Sequence, residues 1–232
     1  LGDMETLFSR IGITKESKIL DTCVGPGFFS TELLKDGYNL STADKNSNMI
    51  VPFQQTLKEL GIQHSTTISP WLDLPKHFEN DSFDLLFNRA NSFVYAAGGW
   101  NEMATINKEE SLALMGKTLK VYYNLLRSGG YLYIDKFRDS EIPDKKVVAR
   151  LNIEKTNKQE DIIFYVERKP EQGIRFAQML LRDKAGKEKG LPNITYDLSE
   201  DEMESLLKEA GFKVSRLSIK SERHFVVWLA QK

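Results

Sequence analysis

Between residues 17 and 137 the sequence keeps switching between two hydrophobic periods, which leaves it few architectures to adopt. Short apolar and β-branched runs at 17–22, 38–43, 62–68, 82–87 and 131–137 read as strands. Helix-period segments separate them: from about residue 28 to 35, at 48–60 with Pro52 near the start, and at 109–126. Strands alternating with helices predict a parallel sheet covered by helices, an α/β fold. Leu112, Met115, Leu119, Tyr122 and Leu126 recur at helical spacing, as core packing requires. The run Ser128-Gly129-Gly130 reads as the turn into the fifth strand.

Beyond residue 146 the pattern changes. The runs VVARLNIEK, DIIFYVERK and IRFAQMLLRD are strand-like, with turn residues and no helix between them. They predict an antiparallel insertion of three or so strands. Residues 182–192, charged and glycine-bearing, read as an exposed hairpin tip or loop. Ser199 and Glu202 then form a capping box, Leu198 can staple onto Met203, and Met203, Leu206, Leu207 and Ala210 make an apolar stripe that Gly211 ends. Residues 212–219 and 224–230 read as two last strands. No repeat or linker divides the chain, so the expectation is one domain over 1–232, with 146–197 as a β-rich insertion or lid.

The charge balance, 32 Lys and Arg against 33 Asp and Glu, argues against a chain devoted to nucleic acid or anionic membranes. The single cysteine, Cys23, excludes an intrachain disulfide framework or a cysteine metal cluster, and His64, His77 and His224 are scattered. Apolar runs such as 225–230 are too short for a bilayer, and no basic-then-apolar leader opens the sequence at Leu1. The expectation is a soluble cytoplasmic protein without a metal; its oligomeric state is left open.

Between the first strand and the first helix lies Asp21-Thr22-Cys23-Val24-Gly25-Pro26-Gly27. Glycines allow a sharp turn and close approach of a ligand, and the following helix offers free N–H groups. Asp44 ends the second strand, where a carboxylate can accept both hydroxyls of a ribose. A dinucleotide fingerprint is incomplete, because Ser30 stands three beyond Gly27, and a phosphate-binding loop would need Gly-Lys-Ser/Thr. A glycine turn that only packs strand on helix is the plainer alternative. The spacing D-x-x-x-G-x-G with an acidic residue ending the next strand resembles the first motif of class I S-adenosylmethionine (SAM) methyltransferases. Cys23 reads as a small buried side chain, and Met49 and Ile50 as adenine flanks or first-turn core contacts.

Two further stretches narrow the resemblance. The run Asp84-Leu85-Leu86-Phe87-Asn88-Arg89-Ala90-Asn91-Ser92-Phe93 resembles the strand-four region of the glycine and sarcosine/dimethylglycine N-methyltransferases. Pro70-Trp71-Leu72-Asp73 resembles their loop after strand three, where a Trp packs near the adenine. The resemblance implies a Rossmann-like seven-stranded sheet with an antiparallel insertion after strand five, SAM as cofactor, and a small-molecule amine as partner. It implies cofactor contacts at Asp21, Gly25, Gly27, Asp44, Met49, Trp71, Leu72 and Asn88, and a cofactor-loop role for Asp73, with Asp84 only a strand start. The chain departs from the family at Ala90, where glycine is frequent, and at Ile134-Asp135-Lys136-Phe137-Arg138, where the arginine is displaced by one position.

Amine methylation needs alignment of nucleophile, methyl and sulfur and the exclusion of water. Asn91 is the first candidate for substrate or methyl-donor contact, against its alternative as a turn-forming residue. Arg89 and Arg138 are candidates to fork a carboxylate, as are Arg168 and Arg175 if the insertion covers the site. Tyr95 and Trp100 are candidate walls of an aromatic pocket that would attract a cationic amine. His224 reads as structural. Small-molecule O-methylation and SAM binding without catalysis remain as alternatives, and the absence of a D/N-P-P-Y/F run in the strand-four loop disfavours nucleic-acid base methylation.

Overall fold

The computed structural model describes residues 2–99, 106–138, 146–153, 158–169, 172–219, 222 and 224–232. In chain order the elements are α1 (Gly2–Ile11), β1 (Ile19–Asp21), α2 (Phe28–Lys35), β2 (Leu40–Asp44), α3 (Val51–Glu59), β3 (Thr66–Ile68), β4 (Phe83–Asn88) and β5 (Gly98–Gly99). There follow α4 (Lys108–Leu125), β6 (Leu126–Phe137), β7 (Lys146–Ile153), β8 (Lys158–Lys169), β9 (Ile174–Arg182) and β10 (Glu188–Tyr196). The last three are α5 (Glu200–Glu209), β11 (Lys213–Leu217) and β12 (Phe225–Gln231). Short 3-10 turns cover Trp71–Lys76 and Ser92–Ala96.

Seven strands form one sheet in the order β11-β12-β6-β4-β1-β2-β3. β3, β2, β1, β4 and β6 run parallel, and β12 and β11 join antiparallel. Successive side chains of a strand point to opposite faces. Leu20, Leu86, Leu132, Ile134 and Trp228 therefore pack with Met115, Leu119 and Tyr122 of α4, while Ile19, Leu85, Phe87, Tyr133, Val227 and Leu229 pack with α1. Burial on both faces explains why the parallel strands read as nearly continuous apolar runs.

The fold is the α/β methyltransferase-type sheet the sequence predicts, with four differences in detail. Helix α1 was not predicted; it buries Met4, Leu7 and Phe8 from an otherwise charged decapeptide. Strand β6 begins at Leu126 directly after α4, and the Ser128-Gly129-Gly130 turn survives as a register shift, Phe83 pairing Leu126 but Leu85 pairing Tyr131. The second sheet is five-stranded and antiparallel, in the order β5-β10-β9-β8-β7. Residues 188–192, expected in a loop, belong to β10; only the tip at 183–187 is a turn. The capping box of α5 forms as predicted, with the Ser199 hydroxyl oxygen accepting the Glu202 N–H. No helix among the described residues is long and apolar enough to cross a membrane.

Candidate active site

The carboxyl ends of β1, β2, β3 and β4 frame the site, as expected for an open α/β sheet. Asp21 is buried beneath the glycine loop, where its Oδ1 accepts the Cys23 N–H at 3.0 Å and its Oδ2 the Ser30 hydroxyl at 2.6 Å. Burial raises its carboxyl above the ordinary aspartate range. Asp44 spans the mouth: Oδ2 accepts the Gly25 N–H at 2.9 Å and Oδ1 the Asn46 N–H at 2.8 Å. Each carboxylate oxygen has more than one lone pair, so capacity remains for a ligand diol.

The two loop glycines carry different constraints. Gly25 has φ +48°, and a Cβ there would meet nothing nearer than the Cys23 carbonyl at 3.9 Å. It lines open space. Gly27 has φ +77°, and a Cβ would fall 1.9 Å from Cδ2 of the buried Phe53 ring. Large apolar side chains stand exposed where each strand ends: Phe28 at 85%, with Met49, Val51, Ile68 and Leu72. The loop, carboxylate and apolar rim suit SAM, whose methionyl and ribose parts carry no phosphate.

Behind the loop lies a closed polar network. Trp71 donates its indole N–H to the Thr22 carbonyl at 2.7 Å, and its ring stacks on Phe93 with centroids 6.3 Å apart. Asn88, fully buried, donates through Nδ2 to Thr22 Oγ1 and to the Tyr122 hydroxyl, and its Oδ1 has no partner. Cys23 Sγ accepts the Arg89 N–H at 3.3 Å, and burial raises the thiol well above its usual range. Asp73 instead pairs with Lys76 at the surface.

Two of the candidate catalytic residues, Arg89 and Asn91, lie on the turn after β4, and Arg138 follows β6. Ala90 and Asn91 both adopt left-handed conformations, with φ of 60° and 59°. Their N–H groups donate to the two oxygens of Asp135 on β6, at 3.0 and 2.7 Å. Asn91 is buried, and its Oδ1 accepts the Phe137 N–H at 3.1 Å. Burial drives the Asp135 carboxyl up to about 7, against the N–H donation that favours its ionised form. The Arg89 guanidinium lies 4.4 Å from the Phe29 ring centroid and pairs with Glu222. Arg138 is half-buried and donates its backbone N–H to the His224 carbonyl.

The antiparallel sheet meets the segment after β4 through β10. The Tyr95 hydroxyl accepts from Asn193 Nδ2 at 2.9 Å, and its backbone carbonyl accepts from Lys45, next to Asp44, at 3.4 Å. The buried Arg175 guanidinium sits 5.8 Å from the Phe137 ring centroid and acts electrostatically on Tyr95. Trp100 and the Arg168 side chain lie outside the described residues. Sequence reasoning missed Phe53, Asp135, Glu222 and Asn193. A polar Asp in the apolar run Tyr131–Phe137 was the one signal that could have found Asp135.

Residues 13–211 match the family described as a methyltransferase domain. The chain belongs to this methyltransferase-domain family. Among curated relatives, the methyltransferase is 27% identical over 120 residues to the glycine/sarcosine N-methyltransferase of Aphanothece halophytica, covering 51% of this chain and 40% of that one. It is 25% identical over 130 residues to an uncharacterised protein of Methanocaldococcus jannaschii, covering 54% and 40%. The chain thus spans 40% of the length of both curated relatives. Its fold is shared with a SAM-dependent methyltransferase from Clostridium acetobutylicum: TM-score 0.71, 13% identity, 99% of this chain and 89% of that one. It is shared too with a sugar N-methyltransferase from a Streptoalloteichus species, at TM-score 0.70, 15% identity, 98% and 84% coverage. A SAM-bound amino pentose methyltransferase from Micromonospora echinaspora matches at TM-score 0.68, 12% identity, 99% and 90% coverage.

Proposed function

We propose that this methyltransferase transfers the methyl of SAM to the nitrogen of a small amine, amino-acid-like in type, as in glycine, sarcosine or dimethylglycine. The observation that carries the reading is the buried Arg175 guanidinium beside Tyr95 and Phe137, next to the Asn91 turn. A guanidinium offers a carboxylate a two-pronged partner, and aromatic faces suit an amine as its charge develops. The relative named as a glycine/sarcosine N-methyltransferase and the structural neighbour named as a sugar N-methyltransferase support methylation at nitrogen.

When bound, SAM supplies an electrophilic methyl group on a positively charged sulfur. Gly25 and Gly27 would shape the loop around it over the buried Asp21, and Asp44 would accept its ribose hydroxyls. Met49 and Leu72 would flank the adenine, with Trp71 and Asn88 holding the loop from behind. Arg175 lowers the amine's affinity for a proton, as a neighbouring cation does, so the nitrogen keeps its lone pair. With SAM bound, that pair would take the methyl as the S–C bonding electrons stayed on sulfur, and the surplus N–H proton would leave to solvent. Asn91 fixes the turn that aligns these groups; Arg89 and Arg138 border it. Residues 146–197 act as a lid on a single domain over 1–232, excluding water in the cytoplasm from a small-molecule site that takes neither nucleic acid nor membrane.

A transfer assay with isotope-labelled SAM methyl tests this, using glycine, sarcosine, dimethylglycine, other small amines, and small acids and phenols. A methyl gained on one amine is the expected result. Label only on an acid or phenol overturns nitrogen as the target, and silence with SAM bound overturns this substrate class. Asn91→Ala is expected to lower turnover about tenfold, a loss near 1.4 kcal/mol, with SAM affinity nearly unchanged. An unaltered rate removes Asn91 from the site. Gly25→Leu should fill the open space over the loop and abolish SAM binding in calorimetry while the protein still folds.

A further inference from the structure

Among the described residues, two buried oxygens on β10 have no hydrogen-bond partner: Asn193 Oδ1 and Thr195 Oγ1. Their residues are 1% and 0% exposed. Being two apart on one strand, they share a face. Thr195 stands directly opposite Arg175 in the ladder, so that face is the one carrying the guanidinium. The remaining amide atom of Asn193 is committed to Tyr95, on the turn that follows Asn91. Buried polar atoms are almost always paired, and exceptions call for an explanation such as a missing ligand. Here both orphans can accept a hydrogen bond, one is a carbonyl that can only accept, and both lie on the β10 face that carries Arg175 and meets Tyr95.

We propose that Asn193 Oδ1 and Thr195 Oγ1 form a cradle for the N–H groups of the acceptor amine, which makes the site selective for primary over fully substituted amines. The proposal rests on the N-methylation reading above. An unprotonated primary amine that aims its lone pair at the methyl has two N–H groups left to satisfy. With roughly 3 Å per hydrogen bond, these reach two oxygens about 5 Å apart. Side chains whose Cα atoms are about 6.6 Å apart along a strand span that distance. A secondary amine fills one oxygen and a tertiary amine neither. Each methyl added therefore weakens the acceptor's hold and favours release.

The test is calorimetry on the protein saturated with S-adenosylhomocysteine, which cannot donate a methyl, titrated with glycine, sarcosine and N,N-dimethylglycine. Wild type is expected to bind glycine at least about tenfold more tightly than dimethylglycine, the worth of one good hydrogen bond. Thr195→Val and Asn193→Leu should each shrink that preference to about threefold or less, with S-adenosylhomocysteine affinity unchanged. Thr195→Val is close in shape and removes an unpartnered hydroxyl, so its ligand-free melting temperature should rise by about 2 °C even as glycine binding weakens. A residue with only a structural role would not move these two readouts in opposite directions. Equal binding of the three amines, no binding of any, or a preference intact in both variants overturns the cradle. A preference intact in both variants, together with methyl transfer to nitrogen, would sink the cradle alone; transfer only to oxygen would sink the underlying reading.

Discussion

Gly27→Ala is expected to destabilise the methyltransferase by about 3 kcal/mol, the joint cost of a left-handed non-glycine residue and an overpacked core. For a chain of this length that lowers the melting temperature by about 10 °C. The added Cβ would fall 1.9 Å from Phe53 Cδ2, 2.4 Å from Cγ and 2.6 Å from Cε2. Phe53 is fully buried with Val24, Ile50 and Leu57, so its ring cannot swing aside. The backbone must move instead, and it is the backbone of the cofactor loop. SAM affinity should therefore fall with stability. Phe53→Leu in the same chain should recover the packing part of the loss and leave the conformational part. Thermal melts and calorimetry of the single and double variants check this, and a Gly27→Ala protein that melts and binds as wild type would refute it.

Asp135 carries the second large effect. Asp135→Ala leaves the N–H groups of Ala90 and Asn91 without acceptors, each costing about 1–3 kcal/mol when buried. Those residues hold left-handed conformations that only a determined surrounding maintains. The turn should relax, and a displacement near 1 Å at the reacting groups costs about 100-fold in turnover. The carboxyl also makes stability depend on pH. Its folded value near 7 lies above the ordinary 3.8, so between those limits the folded protein binds the extra proton. Its contribution is full below about pH 4, declines as pH rises toward 7, and is flat above. Asp135→Asn should remove that decline, so urea unfolding at pH 5 and pH 8 should differ less in the variant than in wild type. An equal pH slope in both proteins would show that Asp135 is ionised throughout this range.

The sequence made some of these features legible and hid others for physical reasons. Backbone demands are written in residue type: the loop glycines, the capping box and Gly211 at the end of α5 are readable because few residues serve there. The partners of those backbones are tertiary. Nothing local announces that Phe53 will fill the space beside Gly27, or that Glu222 will meet Arg89 across 133 positions. Strand β10 was hidden by composition, since Lys189, Gly190 and Pro192 argue against a strand. Pairing with β9 along its whole length overrides that preference. Among the described residues β5 covers β10 only at Ile194 and Thr195, so Pro192 stands where β10 is an edge. Helix α1 was legible but passed over: Met4, Leu7, Phe8 and Ile11 fall at helical spacing and pack on the sheet.

The strand order has a consequence for how the chain is made. β12 follows the other described strands in chain order yet is interior to the sheet, between β11 and β6. Until residues 225–231 have left the ribosome, β6 has an open edge and Trp228 is missing from beneath α4. An unpaired apolar strand is a template for pairing with other chains. A chain without residues 225–231 would lose an interior strand and leave β6 with an unpaired apolar edge, open to aggregation.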